Sequence, residues 1–201
     1  HAFAHDLATH AMTDLDPSGP GGYVHAIDGT IAVGSADTGT GSTGAVVYDL
    51  AANTRTFVPL PGAFDVAVAV DVSGTTVAGH WTGTDLTRHA FAYDVTTGVV
   101  TDLGSLDGGY IEVAAIDGNL IVGQASVGDD LHAFAYDLAT HTMHDLGTLG
   151  GPRSEAVAVS NGIVVGTADA DPAGLVDHAV AWSLRSTPPP TTTPTTTAVA
   201  P

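Results

Sequence analysis

Histidine and aspartate recur at fixed places along this 201-residue chain, and they are the side chains most able to do chemistry. His1, His89, His132 and His178 each open an HAF or HAV phrase; Asp6, Asp94 and Asp137 end the first three, Asp49 ends the related GAVVYD, and Asp14, Asp102 and Asp145 come after. Imidazole is the commonest protein metal ligand, but the ligands of one ion must converge within a few ångströms. One histidine per repeat is spread too widely for that, so a structural hydrogen bond at a strand start is the favoured reading. His141 and His144 are three apart on a hairpin, where alternation sends them to opposite faces. The aspartates most simply accept backbone N–H groups in turns. Paired catalytic carboxylates of the glycosidase kind would need to sit about 5 Å or more apart, and only Glu112 and Glu155 add to the aspartates.

Hard oxygen donors at Asp37, Asp85, Asp129, Asp130, Asp169 and Asp171 could hold Ca²⁺, with Asp169 and Asp171 the best placed. None of these stretches has the full spaced ligand set of a calcium-binding hand, so surface charge is the preferred reading and no cofactor is expected. Gly39, Gly41 and Gly44 fit GxGxxG, yet VVYDL follows where a phosphate-binding helix would have to start. GxSxG, HExxH and the Asn-x-Ser/Thr sequon are all missing.

The elements that must position these residues come from a repeat. HAFAHDLATHAMTDLD at residue 1 returns as HAFAYDVTTGVVTDLG at 89 and as HAFAYDLATHTMHDLG at 132, the first and third agreeing at twelve of sixteen positions. Diverged copies start at Gly44 and His178, so the period is close to 44 residues. Each repeat adds a small-residue segment (YVHAIDG, VAVAVDVSG, VAAIDG, AVAVSNG) and a segment that reads as ending in Gly (TIAVGS, TTVAGH, LIVGQ, IVVGT). Bounded by Asp-Gly, Asn-Gly or Ser-Gly, these read as short strands in tight hairpins, with almost no helix.

Four strands in about 44 residues is the size of a β-propeller blade. Naming the small-residue strand a, the Gly-ended strand b, the HAF strand c and the DLG strand d predicts seventeen strands in five blades, the first lacking a and b and the last lacking d. In strand c, His132, Phe134 and Tyr136 face one way and Ala133 and Ala135 the other, so the bulky face of one sheet can fill the small face of the next. The domain is expected over 1–185, as a piece truncated upstream, followed by a linker over 186–201 in which seven Thr and five Pro leave no core. Such a linker points to a further domain or surface anchor.

Twenty-two acidic residues against four Arg give a net charge of −18. That charge excludes phosphate backbones as partners, and no apolar run is long enough for a membrane-spanning helix. No cysteine is present to report on the redox compartment.

The phrases HAFAYD and HAVAW, with DLGTLGG at 145–151, resemble the HAF repeat family of extracellular bacterial proteins over residues 1 to about 184. Tyr48, Tyr93, Tyr136 and His5 occupy the aromatic column where Trp182 fits the pattern better, and Gly44 replaces the histidine. The resemblance implies an exported, propeller-like protein, extracellular or at the cell surface, and supplies no catalytic residues.

In a four-stranded meander the d-a and b-c loops emerge on one side, which makes that rim the expected interaction face. Tyr23, Phe64, Tyr110 and Arg153 fall before strand a, and His80 and Trp81 read as following strand b. Aromatic faces can stack on sugar rings, and a planar Arg can grip a carboxylate. The expectation is a non-catalytic binding or display module for a glycan or a cell-surface protein. A propeller-type glycan hydrolase or lyase, or a structural spacer, are the alternatives.

Overall fold

A computed structural model describes residues 1–16, 19 and 21–184, except the side chain of Phe64. The Pro/Thr-rich segment 186–201 lies outside the described residues, as does Arg185. All regular structure among the described residues is β, with no helix. A hairpin of β1 (Phe3–His5) and β2 (Met12–Asp14) comes first. Next are two antiparallel meanders, β3 (Gly22–Asp28), β4 (Ile31–Asp37), β5 (Thr43–Asp49) and β6 (Thr54–Phe57), then β7 (Ala63–Ser73), β8 (Thr76–Gly83), β9 (Arg88–Asp94) and β10 (Val99–Asp102). A single parallel bridge, Thr43 to Val66, links them into one eight-stranded sheet. A four-stranded sheet of β11 (Ile111–Asp117), β12 (Leu120–Val127), β13 (Asp130–Asp137) and β14 (Thr142–Asp145) follows. Last comes a three-stranded sheet of β15 (Ser154–Ser160), β16 (Ile163–Asp169) and β17 (Asp177–Ser183). The described sheets do not close into a ring.

The HAF strands hold successive sheets together as their alternation requires. Phe134 and Tyr136 of β13 are buried in one cluster with Ala90 and Ala92 of β9. Phe91 and Tyr93 of β9 share a cluster with Ala45 and Val47 of β5, and Tyr48 shares one with Ala2. Trp182 of β17 packs on Ala133 and Ala135. Each strand therefore offers a bulky face to the preceding sheet and a small face to the following one.

Two further devices repeat. The strand that opens each repeat unit, β3, β7, β11 and β15, carries a β-bulge, between Val24 and Ala26, Ala69 and Asp71, Val113 and Ala115, and Ala156 and Ala158. Opposite the residue before each bulge stands a glycine, namely Gly34, Gly79, Gly123 or Gly166. A Cβ at any of these would run into the carbonyl oxygen of Tyr23, Val68, Glu112 or Glu155, respectively. The glycine thus permits the close backbone approach that the bulge creates. The a-b turns are also laced from one sheet to the next: Gly74 N–H donates to Asp28, Gly118 N–H to Ser73 and Asn161 N–H to Asp117. The buried Asp16 carboxylate pairs with Arg55 of β6, tying the first hairpin to the next meander.

Replacing Gly123 by Ala should cost about 1–3 kcal/mol, the range for overpacking a tight interior site. Urea denaturation checks this; an unchanged midpoint would show that the approach of β11 to β12 tolerates a methyl group.

Candidate functional site

The recurrent aspartates, and the histidines His1, His89 and His132, are engaged in local hydrogen bonds and ion pairs. At the c-d turns a single carboxylate oxygen accepts backbone N–H bonds, from Ala8 and Thr9 at Asp6, Ala51 and Ala52 at Asp49, Thr96 and Thr97 at Asp94, and Ala139 at Asp137. Those bonds favour the ionised form and hold Asp6 and Asp94 below the usual carboxylate range. Each DLG aspartate meets the histidine that opens its own HAF strand, at 3.2 Å for His1–Asp14, 3.3 Å for His89–Asp102 and 2.9 Å for His132–Asp145. Where Gly44 replaces the histidine, Phe57 takes the aspartate's register position and its ring packs at Gly44. Histidine and aspartate are lost together.

The polar side chains that face one another across sheets lie elsewhere on the rim. Arg88, at the start of β9, donates to the Tyr110 hydroxyl at 3.1 Å and lies 3.4 Å from the Glu112 carboxylate. Its guanidinium sits over the Tyr110 ring, 5.1 Å from the centroid. The Tyr110 hydroxyl donates to Glu112, and Gln124 of β12 donates to the same oxygen at 3.3 Å. Burial pushes Glu112 up, but the Tyr110 hydroxyl and Arg88 outweigh it and hold the carboxyl below its ordinary value. Burial, then the Glu112 contact, raises Tyr110. Asp107 braces the surrounding loop by accepting from the Ser126 hydroxyl and from Gly109 and Gly128 N–H.

Gln124 also lines a groove of about 380 Å³ between the last two sheets. Leu131, Arg153, Ser154, Glu155 and Thr167 line it as well, with Asp169 and Asp177 at one end. Arg153 and Glu155 hold the repeat positions of Tyr110 and Glu112, so one polar strip runs across two sheet junctions. In this strip Asp169 and Asp177 stand directly opposite across β16 and β17. The adjacent Asp177 carboxyl, and then burial, push Asp169 up.

Of the six rim residues expected from sequence, Tyr110 and Arg153 are on this strip. Tyr23 is 75% exposed at the start of β3, in the second sheet and away from the strip. Phe64 lies on β7, and its side chain is outside the described residues. His80 and Trp81 require correction. Both sit inside β8, which runs on to Gly83, because Gly79 marks the bulge contact and not the strand end. Trp81 is only 2% exposed, stacked on His89 at 4.6 Å and tilted against Phe91, so it is core and offers no sugar platform. His80 points to the opposite face, 7% exposed beneath the Arg88 and Glu112 cluster. The residue opposite Asp169 in the sheet is Asp177, while the two oxygens of Asp171 accept from Ala173 and Leu175 N–H within its own loop. Among the described residues no three His, Cys, Asp or Glu side chains gather as a metal site. Arg88, Glu112, Gln124 and Asp177 were missed. Aligning the repeats shows one signal for them, because Glu112 and Glu155, the only glutamates, occupy the same repeat position.

No protein-family model matches the chain, and no curated protein does either. Among solved structures it is similar to TolB from Acinetobacter baumannii, at TM-score 0.52 and 15% identity over 82% of this chain and 44% of that one. It is similar also to a TolB-type protein from Agrobacterium tumefaciens, at TM-score 0.55 and 15% identity over 78% of this chain and 58% of that one. The fold is that of a β-propeller. This propeller-type chain spans about half the length of the structures it matches.

Burial, and then Arg88, lower His80 from 6.5 to about 4. The unfolded chain therefore takes up the proton first as pH falls, and stability present above pH 6.5 is lost on the way down to about pH 4. Wild type should lose up to about 3 kcal/mol relative to His80→Gln across that window. Parallel urea denaturation of both proteins at pH 7 and pH 4.5 measures the difference; equal pH slopes would contradict it.

Proposed function

We propose that this chain is a non-catalytic binding module that takes a glycan on the rim formed by its d-a and b-c loops. The observation that carries the reading is Tyr110, a ring left 38% exposed while its hydroxyl, Arg88, Glu112 and Gln124 are already locked in one hydrogen-bonded array. A rigid aromatic surface beside fixed donors and acceptors suits a sugar, whose ring face is apolar and whose hydroxyls both donate and accept. The adjoining groove of about 380 Å³ gives further units of a chain somewhere to lie, which a bare spacer would not need. Hydrolysis is less well supported. Asp169 and Asp177 are in contact, whereas retaining glycosidases hold their carboxyl groups about 5–5.5 Å apart so that the sugar fits between.

Five blades of the 44-residue repeat, an extracellular or cell-surface location and a Pro/Thr linker leading to a further domain or anchor complete the proposal. The HAF-like phrases and the composition of 186–201 support those parts.

A glycan and cell-wall array probed with the purified chain should show saturable binding. Tyr110→Ala and Arg88→Gln should each weaken it about tenfold or more, equivalent to about 1.4 kcal/mol, with melting temperatures within a few degrees of wild type. Silence across the array, or binding indifferent to both substitutions, would refute the glycan reading.

A further inference from the structure

Asp169 closes β16 and is only 3% exposed, and its buried Oδ2 has no hydrogen-bond partner. Asp177 opens β17 directly across from it. Like charges in opposed register destabilise a sheet, and an ionised carboxylate buried without a partner costs several kcal/mol. The other repeats avoid this arrangement, having Asp37 opposite Thr43, Thr82 opposite Arg88 and Ser126 opposite Leu131 at the corresponding positions. Something must therefore neutralise the last pair.

Few protein cations are at hand. The chain has four Arg and no Lys, and Arg153, the basic residue lining the groove, makes no ion pair with either aspartate within 4 Å. Its main-chain oxygen instead accepts from Asp169 N–H. Oδ2 points toward the apex of the 170–176 loop, where a Cβ on Gly174 would lie 3.0 Å from it. The loop is fixed without help from Asp169, by Ala170 N–H to Val176 and by the Asp171 carboxylate. Both Asp169 and Asp177 line the groove, so an ion from solvent can reach them.

We propose that Asp169 and Asp177 together hold a calcium ion at the end of this groove. Two carboxylates with loop carbonyls and water can supply the six to eight oxygens Ca²⁺ accepts in irregular geometry, whereas Mg²⁺ demands an octahedron and sheds water reluctantly. The net charge of −18 concentrates cations at the surface. The assignment pairs Asp169 with a residue opposite it in the sheet, and it stands whether or not the rim binds glycan.

Calorimetric titration of the full chain with Ca²⁺, and separately with Mg²⁺, tests it alongside melting curves. A dissociation constant on the order of 10⁻⁴–10⁻³ M for Ca²⁺ is expected, in the range of extracellular calcium modules, with much weaker Mg²⁺ binding. Asp177→Asn should weaken Ca²⁺ at least about tenfold, Arg153→Gln should tighten it by removing a competing charge, and Asp129→Asn on a neighbouring exposed turn should leave it unchanged. An equal Ca²⁺ response in Asp177→Asn would mean only general screening of an acidic surface and would overturn the site. No Ca²⁺ response, with Asp177→Asn raising the melting temperature in chelator, would show that the two carboxyls share a proton instead.

Discussion

The packing of a bulky face into a small face, repeated at each sheet junction, is the interaction on which everything else in this chain depends. Sheets stack at about 10 Å only if the large side chains of one meet small ones of the next. Phe134 and Tyr136 cluster with Ala90 and Ala92, and Phe91 and Tyr93 with Ala45 and Val47. The HAFAYD phrase encodes both halves of that contact, because alternate residues of one strand serve two different neighbours. A single strand sequence can therefore propagate from sheet to sheet, and the loop rim inherits its geometry from the stacking.

Around that apolar contact, the polar residues divide into those that fix the backbone and those left for recognition. The turn aspartates, the His–Asp pairs of the c and d strands and the side chains that lace the a-b turns are all consumed locally. Arg88, Tyr110, Glu112 and Gln124 are not needed for strand pairing, yet they are held in mutual contact on the rim. Preorganisation of this sort lowers the entropic cost of binding.

Much of this is legible in the amino-acid sequence. The faces of strand c follow from alternation, the turn role of Asp6 and Asp94 from the chemistry of Asx turns, and the all-β character from β-branched segments broken by Asp-Gly. The bulges were not readable, because Ala-Val runs carry no mark of an extra residue. Missing them turned Gly79 into a strand end and moved His80 and Trp81 onto the rim, when β8 in fact continues to Gly83 and buries both. The Arg88–Tyr110–Glu112 contact spans two sheets, and no local pattern foretells which b-c residue meets which d-a residue. The Asp169–Asp177 pair was hidden by loop length, since cross-strand register decides that Asp177 and not Asp171 is its neighbour.

The most direct measurement is a double-mutant cycle between Ala90 and Phe134, which share one buried cluster from adjacent sheets. Ala90→Leu should destabilise by crowding the Phe134 ring, and Phe134→Ala by leaving a void; combined, the leucine should partly fill that void. The account predicts a coupling of about 1–3 kcal/mol in the stabilising direction by urea denaturation. Strictly additive effects would show that the two faces are not in complementary contact, and would remove the basis for the stacked rim.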